Sequence, residues 1–161
     1  MRYFFDTEFI ERGAKYPVTL ISIGIVADDG REYYAVSSEF NEADAGAWVA
    51  QNVLPHLGDV ERLPLGEVAA DIERFVGDDP EFWAYYCSYD WVVLCQCFGT
   101  MMDLPKGFPM YCNDLKVELE RHGNPRLPEQ TSTEHNALAD ARWTKDSFYW
   151  LMSRVPGTRG Y

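Results

Sequence analysis

The stretch that decides the fold is Met1-Arg2-Tyr3-Phe4-Phe5-Asp6-Thr7-Glu8-Phe9-Ile10, at the start of a 161-residue chain. Its apolar and aromatic residues predict a largely buried β-strand over residues 3–9, because such side chains suit the pleated surface of a sheet. Two acidic residues interrupt this strand, and residues two apart in a strand point to the same face. Asp6 and Glu8 therefore project together, with Cα atoms about 6 to 7 Å apart.

Two carboxylates at this separation can share one divalent cation or hold two neighbouring cations. Oxygen ligands favour Mg²⁺ or Mn²⁺ over zinc. In a buried strand, paired carboxylates are costly without a cation. A solvated strand end is the alternative interpretation of Asp6 and Glu8, and these residues alone leave both interpretations open.

The composition is that of a globular chain with an unusual charge balance. Hydrophobic residues make up 47% and charged residues 25% of the sequence, which excludes a disordered or fibrous protein. The length fits one domain. The sequence has 14 Lys and Arg against 26 Asp and Glu, which gives a net charge of −12. This charge argues against a protein that binds nucleic acid by neutralising its phosphates. This balance still allows an enzyme whose acidic groups hold metal ions.

The sequence shows no sign of export or membrane insertion. Its N-terminal apolar stretch is too short and too acidic for a signal peptide, and no segment approaches the about 18 apolar residues that span a bilayer. Cysteines occur at Cys87, Cys95, Cys97 and Cys112. They form no Cys-x-x-Cys pair, so a structural zinc site is not expected. We expect a cytoplasmic protein with no membrane partner.

Three consecutive strands open the chain, and helical patterns dominate afterwards. Strands are predicted over residues 3–9, 18–27, 32–37, 82–86 and 108–112, with a tight turn at 28–30. Helices are predicted over residues 41–53, 68–76, 91–98, 115–122 and from 134 or 136 to 152, with Asn113 capping the fourth and a loop over 124–133. This order predicts one α/β domain over residues 1–161, built on a mixed sheet, with a mobile basic tail at 153–161.

Two further acidic residues and a histidine stand out later in the chain. Asp90 follows an aromatic run at the junction of a predicted strand and helix, where a helix N-cap is the favoured interpretation. His135 and Asp140 would lie about 140° apart around an ideal helix, so they can meet only if His135 lies in the loop or first turn. A structural role is the alternative for this histidine. The small Ala137 and Ala141 would let the last helix pack closely against the sheet.

The order of these residues along the chain resembles the motifs of the DEDDh group of 3′-to-5′ exonucleases. The matching motifs are Asp6-x-Glu8, Asp90 and His135-x-Ala137-x-x-Asp140-Ala141. The resemblance covers nearly the whole chain. It is strongest to the small polyadenylate-specific 3′-exoribonucleases of actinobacteria, through residues 1–10, 20–24 and 29–37. One departure is Tyr86, which stands four residues before Asp90 where the family often has Asn.

The resemblance implies a ribonuclease H-like fold: three antiparallel N-terminal strands, then parallel strands, with flanking helices. It also implies a catalytic site of Asp6, Glu8, Asp90, Asp140 and His135. The four carboxylates would hold two Mg²⁺ or Mn²⁺ ions, about 3.5 to 4 Å apart in such sites. His135 would be the general base, since a histidine pKa of about 6.5 suits removal of a water proton near neutral pH.

The implied reaction is hydrolysis at single-stranded RNA 3′ ends, adenylate-rich ends included, with release of 5′-mononucleotides. Thr7, Phe9 and His135 would contact the substrate, with Phe9 stacked on the terminal base; a core position is the alternative for Phe9. The tryptophans are expected in the core or at an interface, and the resemblance suggests a homodimer. The same chemistry on DNA and an inactive metal-binding interaction module are the competing functions.

Overall fold

In the computed structural model, which describes residues 1–155, the first three strands form an antiparallel meander. These strands are β1 (Arg2–Ile10), β2 (Thr19–Ala27) and β3 (Glu32–Ser37). The turn between β2 and β3 closes where the N–H of Gly30 donates to the carbonyl of Ala27. Gly30 has a φ of 88°, a left-handed conformation that glycine adopts without a steric penalty. The predicted hairpin is therefore confirmed.

Three short parallel strands complete the sheet. They are β4 (Arg62–Leu63), β5 (Glu81–Ala84) and β6 (Asn113–Asp114). β4 pairs with β3, β5 pairs with β1, and β6 pairs with β5, which gives a six-stranded sheet in the order β4-β3-β2-β1-β5-β6. The predicted mixed sheet, antiparallel first and parallel afterwards, is confirmed.

Helices cover both faces of the sheet. They are α1 (Ala47–Asn52), α2 (Leu65–Val76), α3 (Ser88–Cys97), α4 (Leu115–Arg121) and α5 (Ala137–Met152). α2 and α3 pack on the face that carries Tyr3 and Phe5 of β1, whereas α4 and α5 pack on the face that carries Phe4. Among residues 1–155, no helix is long and apolar enough to cross a membrane.

The last helix crosses the sheet at very short distance. A Cβ atom added to Gly24 of β2 would lie 2.3 Å from the Cα and N atoms of Leu138, so only glycine fits at this crossing. Ala137 and Ala141 are fully buried, and their small side chains allow the approach that the sequence predicted. Gly24 pairs with Asp6 in the strand register. The closest approach of α5 therefore lies beside the first carboxylate of β1.

The predicted strand over residues 108–112 is wrong, because pairing with β5 begins only at Asn113. Phe108 instead turns inward against Phe82, with ring centroids 5.5 Å apart. Asn113 consequently belongs to β6, and its predicted capping role is also wrong. The N-cap of α4 is Asp114, whose carboxylate accepts the N–H of Lys116.

Other helix and strand boundaries differ from the predicted ones, because the local backbone does not continue the helix or strand that the sequence pattern predicts. The predicted helix over residues 41–53 divides into a 3₁₀ turn capped by Asn41 and the separate α1. β5 ends before Tyr86, which has a left-handed φ of 58° that an extended strand does not accommodate. α3 begins at Ser88, so Asp90 lies inside the helix and the predicted N-cap role of Asp90 is wrong.

The predicted tail over residues 153–161 lies only partly within the described chain. The hydroxyl of Ser153 donates to the carbonyl of Trp150 at 2.8 Å. The Arg154 guanidinium lies over the Trp150 ring, 4.0 Å from its centroid. Residues 156–161 are outside the described residues, and mobility of the tail stays a prediction.

We expect Gly24→Ala to lower the free energy of unfolding by about 1–3 kcal/mol, because the added methyl group forces α5 away from the sheet. Urea unfolding followed by circular dichroism measures this change. Gly66→Ala in α2 is the matched control, since a Cβ there meets open space and alanine favours a helix. Equal stability of the two variants would contradict a steric limit at the crossing.

Candidate active site

β1 presents Asp6 and Glu8 to α5. Phe4 lies on the same face of β1 and packs against Phe148 of α5, with ring centroids 5.2 Å apart. Burial raises the pKa of Asp6 well above its ordinary value, and the nearby charges of Asp90, Glu8 and Asp140 add to this effect. Burial and the charge of Asp140 likewise raise the pKa of Glu8 to about 8. The two carboxylates of the strand therefore belong to a mutually repelling acidic cluster.

The first turn of α5 brings Asp140 to this cluster. Ligand atoms of Glu8, His135 and Asp140 all lie within 4.8 Å of one another, a spacing that could hold one metal ion. Burial raises the pKa of Asp140, while a hydrogen bond from Gln130 and the neighbouring His135 oppose that increase. Strand β1 and helix α5 thus deliver carboxylates from two distant parts of the sequence to one point.

His135 reaches the cluster because the chain turns sharply just before α5. Asn136 is the N-cap of α5: its side-chain oxygen accepts the N–H of Ala139 at 3.1 Å, and its amide donates to the carbonyl of His56 at 2.9 Å. His135 itself has a left-handed φ of 62°. Its ring packs edge-to-face on Trp48, with centroids 4.7 Å apart. The prediction that His135 precedes the helix is confirmed.

Asp90 is fixed to β1 through Thr7. β5 pairs with β1 only as far as Phe4, so the later N–H groups on that side of β1 lack a strand partner. The Asp90 carboxylate accepts the Thr7 N–H at 3.0 Å and the Thr7 hydroxyl at 2.6 Å. Burial raises the pKa of Asp90 to about 6, although both Thr7 bonds oppose this increase. Thr7 is buried, and its predicted substrate contact stays a prediction.

Phe9 follows Glu8 in β1 and lies beside a second aromatic ring. The β1–β2 register shifts between Glu8 and Phe9. The Phe9 ring stacks nearly parallel on Tyr89, with centroids 5.4 Å apart and an interplanar angle of 12°. Phe9 is half-buried and also packs against the core, while Tyr89 is 46% exposed. Stacking of Phe9 on a terminal base stays a prediction.

The structure adds residues that the sequence analysis missed. A cavity of about 180 Å³ in front of Asp6, His135 and Asp140 is also lined by Tyr85, Gln130, Glu134, Trp143 and Thr144. The Gln130 amide donates to Asp140 at 2.5 Å. Helical spacing could have found Trp143, since it lies one turn after Asp140. Gln130 lies in an irregular loop, where no periodic pattern marks it.

The donor chemistry of this site fits hard divalent cations. We call Asp6, Glu8, Asp90 and Asp140, together with His135, the acidic pocket. Burial raises the pKa of each carboxylate, and charges of the others add to this for Asp6 and Glu8, so the negative form is costly without a compensating charge. Carboxylate oxygens are the ligands that Mg²⁺ and Mn²⁺ prefer.

The order of strands and helices defines the class of fold, which this chain shares with exonucleases of ribonuclease H-like fold. Pop2p of S. pombe, in its Mg²⁺- and Mn²⁺-bound form, superposes with a TM-score of 0.69 at 14% identity, over 99% of this chain and 86% of that chain. E. coli Exonuclease I in complex with a dT13 oligonucleotide gives a TM-score of 0.64 at 14% identity, over 96% of this chain and 41% of that chain. At such identities the likeness shows the fold alone.

Sequence comparison identifies the particular family. The model of the Rv2179c-like 3′-5′ exoribonuclease domain matches residues 1–151. The chain is also 43% identical over 167 residues to the 3′-5′ exoribonuclease Rv2179c of Mycobacterium tuberculosis H37Rv, covering 99% of this chain and 98% of that protein. The chain therefore belongs to the Rv2179c-like family of 3′-5′ exoribonuclease domains, and the resemblance found in its motifs is confirmed.

We expect Asp6→Asn to raise the melting temperature in chelator by about 2–4 °C, because it removes one charge from a buried, repelling cluster. The same variant should lose most of the increase in melting temperature that Mn²⁺ gives the wild-type chain. Differential scanning fluorimetry with and without Mn²⁺ measures both. Asp59→Asn, at an exposed position, is the control. A lower melting temperature in chelator with an unchanged Mn²⁺ response would contradict the cluster.

Proposed function

We propose that this chain is a metal-dependent 3′-to-5′ exoribonuclease that hydrolyses the terminal phosphodiester bond of single-stranded RNA and releases 5′-mononucleotides. The observation that carries the proposal is an acidic cluster: ligand atoms of Glu8, His135 and Asp140 lie within 4.8 Å of one another, and the charges of Glu8, Asp90 and Asp140 all act on the buried Asp6. Membership of an exoribonuclease family supports the reaction type. The small cavity in front of the carboxylates suits a chain end better than a duplex, and membership of a 3′-5′ exoribonuclease family supports the 3′ end.

Asp6, Glu8, Asp90 and Asp140 are the proposed ligands of two Mg²⁺ or Mn²⁺ ions. When bound, such ions neutralise the phosphate and stabilise the attacking and leaving oxygens. Asp6 would hold an ion together with the other three carboxylates, since their charges all act on it. Asp90 is held in place by Thr7, and Asp140 is held by Gln130. These hydrogen bonds orient the carboxylates before any substrate arrives.

His135 is the proposed general base. Its ring lies within 4.8 Å of Glu8 and Asp140, so it can take a proton from a water positioned at that point. The left-handed backbone at His135 and the edge contact with Trp48 fix the orientation of the ring. Asp140 stabilises the imidazolium that forms, since its carboxylate stands beside that ring.

The strong acidity of the chain sets how it meets RNA. With a net charge of −12, the protein repels a polyanion over most of its length, so affinity is concentrated at the strand end held in the acidic pocket. We propose an adenylate-rich 3′ end as the substrate to test first, with Phe9 stacked on the terminal base. We also propose that the chain forms a homodimer and acts in the cytoplasm.

We expect Mg²⁺- or Mn²⁺-dependent release of 5′-mononucleotides from 5′-labelled single-stranded RNA, and loss of this activity in Asp6→Ala. Gel analysis of the shortened RNA and chromatography of the mononucleotides measure both. Asp59→Ala should retain full activity. DNA oligomers of the same sequence form a parallel arm, because faster hydrolysis of DNA would contradict the assignment to RNA. Activity that persists in Asp6→Ala with all metal removed would exclude a metal-dependent site.

We expect His135→Ala to lower kcat by about 10²–10⁴, because it removes the group that accepts the proton from water. Single-turnover kinetics with RNA measures the loss, and titration with Mn²⁺ checks that the carboxylates still bind the ion. His122→Ala, at the exposed residue that follows α4, is the control. If wild type and His135→Ala both bind Mn²⁺ and neither hydrolyses RNA, the chain is an inactive metal-binding module.

A further inference from the structure

A second, larger cavity lies beside the cavity at the acidic pocket. It has a volume of about 690 Å³ and lies between α4 and the loop of residues 124–130; we call it the loop groove. Its lining overlaps that of the smaller cavity at four residues, which are Tyr85, Gln130, Glu134 and Trp143. The two cavities therefore lie side by side, and the larger one extends away from the carboxylates.

The loop groove is lined by aromatic rings and by cations, the two kinds of side chain that bind the bases and phosphates of a single strand. Tyr85 and Trp143 stand edge-to-face with ring centroids 5.1 Å apart, and both rings are partly exposed. Two cations, Lys116 and Arg126, also line the groove. Lys116 is already engaged, with its ammonium 2.8 Å from the Asn124 side-chain oxygen. Aromatic rings stack on bases of any sequence, and cations contact phosphates.

Arg126 is the more available of the two cations. Its side chain is 85% exposed and forms an ion pair with Glu129, which is itself 81% exposed. Exposed pairs of this kind are weak, so a phosphate can compete for the guanidinium at little cost. The fork of donors in arginine also suits two phosphate oxygens at once.

The groove is formed before any ligand binds. The indole N–H of Trp143 donates to the carbonyl of Pro128 at 3.0 Å, and the N–H of Asn124 donates to the carbonyl of Leu119 at 2.7 Å. Leu127 packs against the apolar cluster around Phe148. A loop tied down at three points loses little conformational entropy when it binds a ligand.

We propose that the loop groove binds the nucleotides that precede the 3′-terminal residue of a single-stranded RNA, with bases against Tyr85 and Trp143 and a backbone phosphate at Arg126. This inference rests on the proposed exoribonuclease function. The cavity of about 180 Å³ at the carboxylates suits the reacting end. The larger groove suits the rest of the strand, because that part has no fixed length and must leave along an open path.

The test compares Arg126→Gln with Arg74→Gln on two substrates. Arg74 is the matched control, since it lies on α2 across the sheet, is 72% exposed and forms an ion pair with Asp71. One substrate is an RNA decamer, and the other is a dinucleotide whose single phosphate is the reacting one. Steady-state kcat and KM are measured for both substrates over a range of salt concentrations.

We expect Arg126→Gln to raise KM for the decamer by about threefold with kcat unchanged, and to leave the dinucleotide unaffected. The slope of log KM against log salt concentration should fall by about 0.7, the value for one phosphate contact on a single strand. Arg74→Gln should match wild type in every measurement.

If both variants hydrolyse the decamer with the same KM and the same salt slope, the proposal that the loop groove binds RNA is contradicted. The proposed exoribonuclease function would still stand. An equal rise of KM on the dinucleotide would place Arg126 at the reacting phosphate. This result would also contradict the proposal that the loop groove binds the preceding nucleotides. An unchanged KM with an altered mass in solution would make this surface a contact between protein copies instead. If the wild-type chain hydrolyses neither substrate, the proposed function fails, and the groove fails with it.

Discussion

The contact on which the rest of the structure depends is the crossing of α5 over Gly24. With a Cβ atom only 2.3 Å from the Leu138 backbone, any other residue at this position would push the helix outward. Gly24 pairs with Asp6, so the place where α5 comes closest to the sheet lies beside the first carboxylate of β1. This packing between two backbone segments brings α5, which carries Asp140, up to the strand that carries Asp6 and Glu8.

The acidic pocket is a second constraint, because it stores electrostatic repulsion within a folded core. Burial raises the pKa of Asp6, Glu8, Asp90 and Asp140, while neutral donors rather than cations hold two of them in place. Asp90 is held by Thr7 and Asp140 by Gln130. These hydrogen bonds leave the negative charge uncompensated, as a site for divalent cations requires. Neutral donors therefore orient the carboxylates, while the carboxylates themselves supply the negative charge of the pocket.

The sequence predicts those parts of the molecule that local patterns determine. Alternation in β1 placed both carboxylates on one face, and Ala137 and Ala141 indicated the close approach of α5. The cap at Asn136 explains why His135 lies before the helix, as its spacing from Asp140 required. Partners far apart in sequence could not be predicted. Asp90 looked like a helix cap because nothing local shows that β5 stops at Ala84 and leaves the N–H of Thr7 free for it. Gln130 was missed for the same reason, since its partner Asp140 is defined only by the folded loop.

The negative charge of the chain has two separate consequences for its encounter with RNA. Spread over the surface, a charge of −12 weakens every contact that relies on phosphate attraction alone. Concentrated in the acidic pocket, carboxylates become an attractive site for phosphate once divalent cations compensate them. Beyond the pocket, contacts to phosphate are few, with Arg126 as the proposed one, and the other contacts come from groups that do not depend on net charge. Tyr85 and Trp143 are such groups, because stacking on a base is insensitive to the charge of the surrounding protein. An acidic exoribonuclease is therefore expected to hold its substrate by one end, by ring faces and by few phosphate contacts, and to leave the rest of the strand in solvent.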